Sequence, residues 1–165
     1  AFPVVAPDPA SPHRHFATVA TQTLVECPQL ALVRVDGSLF FGAVAHVHDA
    51  LARVRVAAPA RAHLLLIGSG INFVDVAGAQ LLLREAQSQR DRGGKLYLCS
   101  LKPAVMAMLE RSGFLEQLGR ENVFATKSAA IHAIYARLDS GICQTCPARI
   151  FVECRTLLPD DTALV

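Results

Sequence analysis

At 165 residues the chain has the length of one ordinary domain, enough to bury about two-thirds of the surface its unfolded form exposes. Sixteen lysines and arginines stand against 14 acidic residues, for a formal net charge of +2, and no basic stripe is interleaved with aromatics, so nucleic acid is excluded as an expected partner. Hydrophobic residues make up 52% of the chain, yet no apolar run approaches the roughly 18 to 20 residues that cross a bilayer. Five cysteines without a secretory signal argue against a disulfide framework and for a reducing cytosol. A start at Ala1, with no signal-peptide pattern behind it, reads as a piece of a longer protein.

The opening "AFPVVAPDPASPHRH" carries prolines at 3, 7, 9 and 12 and has no periodicity, so residues 1–28 read as an extended tether. "LALVRVDG" is a β-branched and leucine run closed by Asp36-Gly37, a turn signal after which "SLFF" is expected to pair back as a hairpin strand. Phe41, Val44, Val47 or His48, Leu51 and Val54 then recur at helical spacing up to Pro59. "AHLLLIG" is a continuous apolar run of strand length, of the kind buried on both faces of a sheet. Ala79, Leu82, Leu83 and Ala86 form one apolar helical stripe that Gly93-Gly94 ends in the manner of a left-handed cap. "KLYLCS" is the next strand. Pro103 suits the first turn of a following helix with Val105, Met108 and Leu109 inward, and Gly113 stops it. A short "NVFA" strand leads to Ser128 as the expected N-cap of a last helix carrying Ile131, Ile134 and Leu138. This alternation predicts an α/β fold, a small β-sheet of about four to five strands with helices packed on it, over residues 29–139, followed by a cysteine-containing tail at 140–165.

Two groups of residues could carry chemistry. The loop Asp75-Val76-Ala77-Gly78 lies where a strand ends and a helix begins, and the free amides of a helix start favour anions. The favoured reading makes Asp75 the N-cap, because no base, metal ligand or lysine accompanies it, while Gly78 permits close approach of another backbone. In "CQTCPARIFVEC", Cys143 and Cys146 have chelate spacing and Cys154 follows. Structural zinc takes four ligands, so a fourth would have to come from Cys27, Cys99 or a histidine, and the favoured reading is thiols packed as small hydrophobes. No metal site and no cofactor is therefore assigned. His46 and His48 stand two apart on a helix and face different ways. No serine, histidine and acid arrangement is defensible, so the chain is read as a non-enzyme. Phe40 and Phe41 are adjacent, so a strand would send one ring to the core and one outward, with the tether covering the outward one.

Three stretches resemble a known family. "VRVDGSLFFGAV" (33–44), "INFVDVAGAQLLLREAQSQRDRGGKLYL" (71–98) and "LKPAVMAMLERSGFLEQLGRENVFATKSAAIHA" (101–133) resemble the STAS domain, named for sulfate transporters and anti-sigma factor antagonists, as it occurs at the cytosolic end of SulP anion permeases. The resemblance implies a STAS-type fold with a mixed sheet. It also implies a regulatory, protein-interaction role on the cytoplasmic face of the membrane, with partners in the membrane part of the same transporter, a second copy of the chain or a soluble cytosolic protein. Asp75 and Gly78 then occupy the ends of the family's Asp-Ser-Ser/Thr-Gly loop. Val76 and Ala77 stand where the antagonists keep a phosphorylatable hydroxyl, so that switch is absent at this loop. The family often has an acidic residue where Gly68 or Ser69 stands here, which weighs against a metal-bound nucleotide at this loop. The alternatives are a free-standing antagonist that binds an anti-sigma factor, and a nucleotide- or anion-sensing module at the Asp75 loop.

Overall fold

The computed structural model describes residues 2–7, 16–19 and 24–164. Four parallel strands form the central sheet: β3 (Leu30–Asp36), β4 (His63–Gly70), β5 (Leu96–Cys99) and β6 (Val123–Phe124), side by side in chain order. The connections are α1 (Val44–Ala57), α2 (Val76–Asp91) and the pair α3 (Pro103–Arg111) and α4 (Phe114–Leu118), with α5 (Lys127–Tyr135) and α6 (Ser140–Thr145) following β6. Successive strand residues serve opposite faces, as the pleat requires. Val33, Leu64, Leu66 and Leu98 pack with Leu51, Leu82 and Leu109 of the connecting helices. Leu32, Leu65, Ile67, Tyr97 and Cys99 pack on the other face with Ile131, Ile134, Leu138 and Phe151. Burial on both faces explains why "AHLLLIG" and "KLYLCS" read as apolar throughout.

The expected hairpin is replaced by another pairing. The outer edge of β3 is taken by the N-terminal segment: Val4 pairs antiparallel with Val33, and Arg34 N–H donates to the Pro3 carbonyl at 3.1 Å. β1 (Val5–Pro7) continues this segment and pairs antiparallel with β2 (Phe16–Thr18), which supplies the antiparallel component of the architecture. Val5 and Ala6 are buried, so the stretch read as a tether contributes to the core. With that edge held, "SLFF" runs on past Gly37, where φ is +133°, and only Leu39 makes a bridge, parallel to Val74. Phe41–Ala43 is a 3₁₀ turn ahead of α1, so Phe41 lies outside that helix's apolar stripe, which is formed by Val47, Ala50 and Leu51.

The helix ends follow local chemistry. Gly93, at φ +82°, terminates α2, and Gly113, at φ +77°, separates α3 from α4. The N-cap of α5 is Thr126, whose hydroxyl accepts from Ala129 N–H at 3.1 Å, in place of the expected Ser128. Both are hydroxyl caps, and the extended backbone at Thr126 decides between them. Periodicity fades after Gly141, but the tail packs: Phe151 and Leu158 are buried, and Gln29 at the head of β3 bonds Asp139 through both amide ends (Nε2 to carbonyl, 3.1 Å; Asp139 N–H to Oε1, 2.8 Å). Inside the helical layer Glu85 of α2 is 1% exposed, ion-paired with Arg55 and hydrogen-bonded to His48 Nδ1 at 2.9 Å, which ties α1 to α2.

Candidate functional site

The loops leaving β3 and β4 lie side by side at the carboxyl ends of the sheet and are sewn together by backbone. Leu39 N–H donates to the Phe73 carbonyl and Asp75 N–H donates to the Leu39 carbonyl, each at 3.0 Å. Asp75 caps α2, with Oδ1 accepting from Gly78 N–H at 2.8 Å, and its other oxygen reaches across to accept from Phe41 N–H at 3.0 Å. The Gly78 amide, and then that of Phe41, holds the carboxyl below its usual value of 3.8. Both oxygens of Asp75 thus serve backbone amides, and a carboxylate so committed is a poor general base. Gly78 lets α2 meet the neighbouring loop, since a Cβ there would stand 2.3 Å from the Leu39 carbonyl oxygen.

This scaffold presents apolar groups outward. Phe41 is 81% exposed, Val76 55%, Phe73 51% and Phe40 42%. Phe40 and Phe73 stack, with ring centroids 6.0 Å apart and planes at 27°. The expectation that one phenylalanine of the pair enters the core is corrected: residues 40 and 41 are not in a strand, and both rings face solvent. Sequence reasoning missed Phe73, and its signal was available, an aromatic two residues before an N-cap with no helical stripe to join. Ala77 lies half-buried between Val76 and Gly78, and neither Val76 nor Ala77 carries an oxygen on its side chain.

The histidines separate as their spacing requires: the His46 ring lies 5.5 Å from that of Phe2, whereas His48 turns to Glu85. On the opposite face of the sheet, Cys143, Cys146 and Cys154 gather with Cys27 around one cavity that Tyr135 and Phe151 also line. Cys99 is buried within β5 and does not line it. Among the described residues no three histidine, cysteine or carboxylate side chains stand in metal-ligating geometry.

Comparison with known proteins places this architecture. The family model described as the STAS domain matches residues 21–130. The chain belongs to the STAS domain family. Over 141 residues, 80% of the chain, it is 26% identical to sulfate transporter 1.2 of Arabidopsis thaliana, covering 21% of that protein. Over 122 residues, 69% of the chain, it is 27% identical to solute carrier family 26 member 10 of Mus musculus, covering 18% of it. This STAS domain therefore spans about a fifth of the length of the curated relatives it matches. Its fold is shared with the murine anion transporter Slc26a9 in the inward-facing state (TM-score 0.70, 19% identity, 81% of this chain and 22% of that one). It is shared as well with the anti-sigma factor antagonist SpoIIAA in its unphosphorylated form (TM-score 0.55, 20% identity, 70% of this chain and 96% of that one). No helix among the described residues is long and apolar enough to cross a membrane.

Proposed function

We propose that this STAS domain is the cytosolic regulatory module of a SulP-type secondary anion transporter of the sulfate, bicarbonate or dicarboxylate class. It is non-catalytic and is not switched by phosphorylation at its Asp75 loop. The observation that carries the reading is the cluster of Phe40, Phe41, Phe73 and Val76 held outward by a backbone-sewn scaffold whose loop offers no hydroxyl at 76 or 77. Exposed rings grouped on rigid loops suit protein contact, and the transporter relatives supply the context in which such a contact regulates transport. The partner surface is the membrane part of the same transporter. To bias transport, the domain must bind two transporter states unequally. Burying one phenylalanine contributes roughly 1.5–3 kcal/mol, so covering Phe41 in one state alone shifts the equilibrium about tenfold or more.

The test uses the parent transporter carrying Phe41→Asp or Val76→Asp in membrane vesicles. Both positions are exposed, so the domain is expected to fold normally while anion flux changes several-fold and chemical cross-links between domain and membrane part are lost. Unchanged flux with intact cross-links overturns the proposal. The likeness to SpoIIAA favours a second reading, a free-standing antagonist that captures an anti-sigma factor. The encoded residues upstream of Ala1 separate the two: a run of apolar membrane segments supports the transporter, and a start codon directly before Ala1 supports the antagonist.

A further inference from the structure

The geometry points to a tetrathiolate site for one zinc ion, built from Cys27, Cys143, Cys146 and Cys154, that staples the C-terminal tail to the head of β3. Four of the five cysteines of the chain line a single cavity of about 20 Å³. A volume of that size suits one atom-sized occupant. Its lining contains no carboxylate and no histidine, so the available donors are soft sulfurs, and four thiolates in tetrahedral array are a structural zinc set. Cys143 and Cys146 have the chelate spacing and belong to a turn closed by Cys146 N–H to the Cys143 carbonyl at 3.3 Å. Cys27 arrives from 116 residues earlier in the chain, a convergence that only the fold provides.

The surroundings suit the bound form. Gln29, itself buried, donates its backbone N–H to Cys27 Sγ at 3.5 Å and its Nε2 to Cys143 Sγ at 3.2 Å, the kind of N–H to sulfur contact that orients and stabilises thiolates. Four thiolates around Zn²⁺ leave a net charge of −2. Arg149, which lines the cavity, is the cation at hand, while Arg61, whose Nε donates to the Cys27 carbonyl at 2.8 Å, is already ion-paired with Glu26 at 2.9 Å. Burial raises the thiols of Cys27 and Cys154 and pushes Cys143 up to about 11. Four S–H bonds are exchanged for four Zn–S bonds, up to four protons leave, and no electron is transferred. The four cysteines line the cavity without three of them standing at ligating geometry, so binding requires that they draw inward on the ion. This site lies on the face of the sheet away from α1 and α2, and it does not depend on the transporter reading.

The 165-residue chain, kept under reductant and stripped with chelator, is titrated with Co²⁺ and then Zn²⁺. The expected result is one equivalent of Co²⁺ with the intense visible absorption of a tetrahedral thiolate complex, displaced by Zn²⁺, and proton release on loading the stripped chain with Zn²⁺. Cys27→Ser, Cys143→Ser, Cys146→Ser and Cys154→Ser each weaken binding by more than about tenfold, whereas Cys99→Ser leaves it intact. Metal below half an equivalent, the faint spectrum of octahedral Co²⁺, or equal loss on Cys99→Ser overturns the site. Should the serine variants fail to fold, spectrum and proton release of the unsubstituted chain decide alone.

Discussion

Gly78→Ala tests whether close contact between α2 and the neighbouring loop holds the candidate site together. The added Cβ would lie 2.3 Å from the Leu39 carbonyl oxygen, 2.7 Å from its carbon and 2.8 Å from the Leu39 Cβ. That backbone cannot swing aside, because Leu39 is bonded through its N–H to Phe73 and through its carbonyl to Asp75. Overpacking costs about 1–3 kcal/mol, and fixed backbone places this case at the upper end. Alanine regains up to about 1 kcal/mol of helix propensity, leaving a net loss of about 2 kcal/mol. For a chain of this size the loss lowers the melting temperature by about 4–8 °C, read by thermal circular dichroism and by the urea midpoint. Gly42→Ala is the control. Its Cβ would meet only the edge of the Phe40 ring, at 2.7 Å, and an exposed ring can turn away, so stability stays within about 0.5 kcal/mol of the parent. A Gly78→Ala chain as stable as the parent, or a Gly42→Ala chain that loses more, refutes the reasoning.

Two further substitutions probe the interior. Glu85→Ala strips the partner from Arg55 between α1 and α2 and costs about 3 kcal/mol, the lower end for a buried pair because the side chain of His48 is 54% exposed. A double-mutant cycle with Arg55→Ala then gives a coupling of about 1–3 kcal/mol, and additive losses would remove the ion pair from the account. His63, hydrogen-bonded to Tyr97 Oη at 3.2 Å, has its pKa lowered from 6.5 by burial first and by Arg137 and Lys95 after it. A depressed pKa means the unfolded chain binds the proton more readily. The contribution is therefore complete above pH 6.5 and is lost as pH falls through the folded value. His63→Gln should flatten the stability profile below pH 6.5, and an unchanged profile would assign the acid sensitivity to other groups.

The alternation of strands and helices was legible because each signal was local. "AHLLLIG" and "KLYLCS" gave strands buried on both faces, and Gly93 and Gly113 ended helices where a positive φ was needed. Asp75 as N-cap and Gly78 as a point of close approach were likewise readable from residue type and place. What failed depended on distant partners. The Asp36-Gly37 turn promised a hairpin, and nothing near it shows that Pro3 and Val4 hold the edge such a hairpin needs. The α2 stripe was read too narrowly, since Leu81, Glu85 and Gln89 are buried as well; α2 contacts α1 and α4 besides the sheet, and Glu85 is satisfied by Arg55, 30 residues earlier. Cys154 could be grouped with Cys143 and Cys146 by proximity in the chain, but the choice of Cys27 over Cys99 required the sheet.

The ends of the strand array restrict how anything can attach to it. Among the described residues the outermost members are β2, with three residues, and β6, with two. The longer β3 is shielded on its outer side by Pro3 and Val4. Such short borders are poor templates for a further strand from another chain. Extension of the sheet is therefore disfavoured at these described borders, whereas the side chains exposed at the loop crown can be substituted without disturbing backbone pairing.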